Sequence, residues 1–195
     1  MLLVMAAVAT SWSSYQANRW HGEQALAASR TSAIRIEAAR AASRADSETQ
    51  VDVATFIAWA DADRQGEGKL AEFYLDRFRP EFKTAFDAWV ATKPLTSSGA
   101  PPTPFAMPEY RVASRVEAER LDKAAEAKAV EVGLDIQRAS NYVLTVVLYA
   151  VVLFFAGMST KFASPRLCRV MITLGYVVLI AAIAWVATFP VSLRI

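Results

Sequence analysis

The chain has 195 residues, 54% of them apolar, with 21 Lys/Arg against 19 Asp/Glu; this length sets one or two domains. A formal charge of only +2 excludes the concentrated basic face that nucleic acid requires, and a single cysteine, Cys168, excludes an intramolecular disulfide. The charge is segregated: every acid lies between Glu23 and Asp135, and the segment 19–140 is net −2 while both ends lack acid altogether, as in a polar domain held between membrane segments.

The N-terminal stretch MLLVMAAVATSWSSYQANRW is uncharged up to Arg19. It reads as a first membrane helix over 1–18, with Ser and Thr back-bonded to the helix and Trp12, Tyr15 and Trp20 as an interfacial belt. A cleaved signal peptide is the rival reading, with Ala7-Val8-Ala9 as the small-x-small site, but no basic n-region precedes it.

From Ala17 to Ala62 there is no proline and one glycine, Gly22. The residues are good helix formers, and Ala27, Thr31, Ile34, Ala38, Ala41 and Ala45 recur at three-and-four spacing, a narrow stripe of small side chains for close helix contact. The first span is therefore expected to continue as one long helix, about 65 Å beyond the membrane at 1.5 Å per residue.

The stretch DADRQGEGKLAE, 61–72, aligns with an EF-hand calcium loop. Asp61, Asp63 and Gln65 take the first, third and fifth places, Gly66 the sixth, Glu67 the seventh and Glu72 the twelfth, where the bidentate ligand belongs. Against calcium stand the extra methylene of Gln65, Gly68 where an apolar residue pairs with a sister loop, and the lack of any second loop. Two glycines among polar residues also suit a plain helix–helix turn. No other cofactor is indicated.

Residues 69–78 are predicted as a short amphipathic helix, and Pro80 opens another over 80–91; their aromatics Phe73, Tyr74, Phe78, Phe82, Phe86 and Trp89 predict a core. Five prolines make 93–108 a loop, with Phe105 and Met107 turned inward. A return helix is predicted from Glu109, with a second small-residue stripe at Ser114, Ala118, Leu121, Ala125, Ala129, Val132, Ile136 and Ala139. It runs without interruption into a second span, 141–159; a basic loop, 160–169, and a third span, 170–193, follow. The fold expected is all-α: about three transmembrane helices and an extramembrane antiparallel helical stalk over 19–140. Its alanine-rich contacts bury little apolar area, so a homo-oligomer or a membrane-protein partner is expected to support it.

Lys161, Arg166 and Arg169 place the short loop in the cytoplasm and the domain 19–140 outside, although Arg19, Arg30 and Arg35 pull the other way. Catalytic residues are not indicated. His21 adjoins Trp20 without a nucleophile motif, Cys168 sits between Arg166 and Arg169 as an ordinary thiol, and the signatures of phosphate-binding loops, serine hydrolases and zinc proteases do not occur. The spans carry no ionisable group of the kind that marks ion paths.

Three stretches, AVATSWSSYQ (7–16), PFAMPEY (104–110) and ATFP (187–190), together with one leading and two trailing spans, resemble a group of small bacterial membrane proteins. The resemblance implies a bacterial inner-membrane location and supplies no activity. The expected function is that of a non-enzymatic scaffold or accessory subunit acting through the helical stalk. A sensor that passes its signal to a partner, and an oligomeric pore, are the alternatives.

Overall fold

The computed structural model describes residues 1–97 and 99–192. Ser98, in the predicted proline-rich loop, and Leu193, the last residue of the predicted third span, lie outside the described residues. The described chain is all-helical: α1 (Leu2–Arg64), α2 (Gly68–Leu75), α3 (Pro80–Ala91), a 3-10 turn (Pro104–Ala106), α4 (Ala113–Ser159) and α5 (Pro165–Val186). It divides into two compact units, the first Met1–Thr31 with Glu126–Ile195 and the second Ser32–Ala125. α1 and α4 contribute to both.

In the first unit, Leu2 and Ala6 pack with Tyr149, Val152 and Ala156 of α4 and with Leu179 and Ala182 of α5. Ala17 and Trp20 form a further cluster with Ala139 and Tyr142, joined by Val186 and Phe189. A Cβ at Gly175 would stand 3.0 Å from Leu2 Cδ2 and 3.7 Å from Phe155 Cβ, so glycine lets three helices approach closely. The segment after α5 is tied to the helices here: Gln16 Oε1 accepts the Ser192 N–H at 3.1 Å, and the Tyr142 hydroxyl donates to the Pro190 carbonyl at 3.1 Å.

Among the described residues two helices, α4 and α5, are long and apolar enough to cross a membrane. The N-terminal part of α1 is helical as expected, but it does not reach the same apolarity. After Ala9 its run gives way to Thr, Ser, Trp, Tyr and Gln, and Ser13 and Gln16 are fully buried between helices.

In the second unit the small stripe resolves into a seven-residue repeat. Ala38, Ala45 and Asp52 of α1 are buried, as are Ala118 and Ala125 of α4, the spacing of a coiled-coil seam. Contacts run in opposite chain directions: the Ser114 hydroxyl donates to Glu48 at 3.1 Å, and Arg115 pairs with Asp46. α4 starts at Ala113 and not at Glu109, because residues 107–112 are spent on turns, with Tyr110 N–H bonded to the Met107 carbonyl. α2 stops at Leu75, leaving Phe78 in the connection before Pro80, buried against Phe82 and Phe86.

α1 ends in a Schellman cap. Gly66, at φ 75°, donates to the Asp63 carbonyl at 3.1 Å, and the Glu67 N–H reaches back to Ala62 at 3.0 Å. An added Cβ at Gly66 would meet nothing within 4 Å, so the cost of Gly66→Ala is that of the left-handed backbone alone. A loss of about 1–2 kcal/mol is expected in the amide exchange of the last turn of α1; an unchanged exchange rate would contradict the cap.

Candidate functional site

The second unit concentrates the aromatic residues. On α1, Phe56, Trp59, Ala60 and Asp63 follow at three-and-four spacing and share one face; on α3, Phe82, Phe86 and Trp89 do the same. Phe56 meets Phe82, Phe86, Trp89 and Phe105 edge-on, with centroids 5.7–6.4 Å apart. Phe105 stacks on Phe82 at 5.0 Å and lies edge-on to Tyr110 at 5.1 Å, so the stretch PFAMPEY supplies one wall of this core. Trp89 Nε1 donates to the Pro101 carbonyl at 2.8 Å and anchors the proline-rich loop to α3.

One side of the core opens as a cleft of about 610 Å³. Phe56, Trp59 and Trp89 line it, with Val90, Pro94 and Leu95; the charged residues on its lining are Asp63, Arg64 and Lys93. The size falls within the range of small-molecule sites, as does an apolar lining with few polar groups. Lys93, at φ 54°, is the one described residue other than glycine in the left-handed region, a conformation that costs a side chain about 1–2 kcal/mol.

Asp52 occupies the next turn of the heptad stripe after Ala45, where a small residue is expected, and it is fully buried. Its Oδ2 accepts from Arg79 Nη1 at 3.0 Å and from the Tyr110 hydroxyl at 3.0 Å, while Oδ1 has no hydrogen-bond partner. Arg79 Nη2 also lies 3.2 Å from Glu48 and 3.4 Å from Glu81. Three carboxylates thus share one guanidinium. Burial raises the Asp52 pKa, against the hydrogen bonds from Tyr110 and Arg79 and the Arg79 charge; burial likewise raises that of Tyr110. The cluster ties α1 to the residue before α3 and to the turn before α4. Protonation of Asp52 is one chemistry available to it.

No family model, curated protein or solved structure matches the chain.

The residues of the calcium-loop alignment are placed as follows. Asp61 lies in the last turn of α1, 3.6 Å from Arg64; Asp63 lines the cleft; Gln65 and Glu67 are in the turn; Glu72 is on α2. All five are exposed. Among the described residues no three His, Cys, Asp or Glu side chains are grouped to hold a metal ion, and Gly66 is accounted for by the helix cap. His21 is exposed, with Nδ1 3.2 Å from Gln24 Oε1, and Cys168 is a half-buried free thiol.

Sequence reading missed the Asp52–Arg79–Tyr110 cluster. Its signal was an acid in phase with the alanine stripe, seven residues beyond Ala45: a charge at a seam position needs a partner. The cleft had no such signal, because its residues come from α1, α3 and the loop after it, and each alone reads as core.

Proposed function

We propose that the protein is a multi-pass membrane protein whose second unit, Ser32–Ala125, is an interaction module, making the chain a non-enzymatic scaffold or accessory subunit. The observation that carries the reading is the outward apolarity of α4 and α5. Of their most apolar windows only 33% and 17% is buried, whereas a core helix of a water-soluble protein hides such residues. Val143, Leu144, Val147, Val151 and Phe154 of α4 are exposed, as are Val170, Val177, Ile180 and Ile183 of α5. A surface of that extent calls for lipid or protein cover.

In the full form of this reading, the N-terminal part of α1 is a third span. Its polar Ser13 and Gln16 face the other helices, as polar groups in membrane bundles do. The basic loop 160–169 lies on the cytoplasmic side of a bacterial inner membrane, and the domain 19–140 is extracytoplasmic. The alanine seam favours a homo-oligomer or a membrane-protein partner. A sensor is the second reading, favoured by a cleft of ligand size in the second unit.

A photo-crosslinker placed at the exposed Ile57 or Val116 in the full-length protein in its membrane tests the interaction module. A discrete adduct is expected, and its partner separates the readings: an envelope or transport complex for a scaffold, a kinase or other output protein for a sensor. Absence of any discrete adduct from either position would count against both.

A further inference from the structure

Lys93 closes α3: its N–H donates to the Val90 carbonyl at 3.0 Å, in the place that glycine usually takes at a helix end. Pro94 follows and has no N–H for the second bond of that cap. The turn holding this strained lysine is fixed from the other side, where the Lys93 carbonyl accepts from the N–H groups of Thr96 and Ser97, both at 3.0 Å. Backbone strain of this kind gathers at binding positions. Lys93 is one of the residues lining the aromatic cleft, and its ammonium group forms no ion pair among the described residues.

The other two charges on the cleft are Arg64, engaged with Asp61, and Asp63, so the lining is net +1. Asp63 belongs to α1 and repels an anion from that side; Lys93, after α3, is the unengaged cation. The neighbouring Leu95 is 93% exposed, a large apolar side chain that an apolar occupant of the cleft would cover.

We propose that the cleft binds an amphiphilic carboxylate, its aromatic or aliphatic body against Trp59 and Trp89 and its acid group against Lys93. The apolar walls supply affinity for the body, and a charge-assisted bond to an ammonium in a partly dry site supplies the preference for the acid. The proposal gives a ligand class to the sensor reading. It does not rest on membrane anchoring, since binding in the second unit and extraction from the bilayer are separate measurements.

The test uses the full-length protein in lipid nanodiscs, titrated calorimetrically with 4-phenylbutyrate and octanoate and with the matching alcohols, 4-phenylbutanol and octanol, after subtraction of empty discs. Saturable binding is expected, with each acid bound about tenfold more tightly than its alcohol. Lys93→Gly relieves the backbone strain, so it is expected to melt higher while losing the preference for acid; Lys93→Arg keeps the preference. Trp59→Ala weakens acid and alcohol alike. Equal binding of acid and alcohol, a preference that survives in Lys93→Gly, or no saturable binding of either acid would overturn the proposal.

Discussion

Arg79→Ala is expected to destabilise the second unit by about 3–5 kcal/mol at neutral pH, read from the exchange of α3 amides in the full-length protein in nanodiscs. The arginine is the shared counter-charge of Asp52, Glu48 and Glu81, and Asp52 is the member that water does not reach. Without the guanidinium, the buried carboxylate must ionise unpaired or take up a proton. The pH dependence follows. Burial already holds the Asp52 pKa above its ordinary value in the folded protein, and loss of Arg79 raises it further. A folded state that binds the proton more tightly than the unfolded chain loses stability as pH rises from the unfolded value through the folded one. The penalty of Arg79→Ala should therefore be small near pH 4 and grow towards neutrality. Asp52→Asn in the same chain should recover most of it and flatten the dependence. A penalty independent of pH, or additive with that of Asp52→Asn, would mean that the pair does not interact.

Phe82→Ala is expected to cost about 3–5 kcal/mol by the same readout. Phe82 is completely buried and touches Phe56, Phe78, Phe86, Phe105 and Tyr110. It links α1, α3 and the proline-rich loop, so the cavity left behind cannot close by one side chain's movement. Amides in α3 and in 104–110 should lose protection together. Phe73→Ala, at a ring 47% exposed on α2 with the Arg77 guanidinium over its face, should cost about 1 kcal/mol, the scale of an exposed cation–π contact. Similar losses at both positions would contradict a core centred on Phe82.

Much of the architecture was legible because it rests on local rules. Pro80 fixed the start of α3, the proline-free run predicted α1, and the uncharged stretches after Ser140 and Arg169 marked the apolar parts of α4 and α5. The glycine of 61–72 was legible as well, although two motifs demand it at one place: the sixth position of a calcium loop and the C′ position of a helix cap each need a sharp backbone turn. In this structure Asp61 to Arg64 are helical and Gly66 closes a Schellman pair. Non-local features were not legible. Tyr110 reaches Asp52 across 58 residues, and no periodicity reports a bond of that separation. Lys93 reads as an ordinary surface cation until its φ is known.

The central claim is that α4 and α5 hold the chain in a bilayer, and extraction of membranes with alkaline carbonate tests it most directly. The account predicts that the full-length protein stays in the membrane pellet, and that Val147→Lys with Val177→Lys, two charges placed on exposed faces of the apolar helices, releases it by making insertion unfavourable by about 2.5–3.5 kcal/mol per lysine. Recovery of the unaltered protein in the soluble fraction would contradict it.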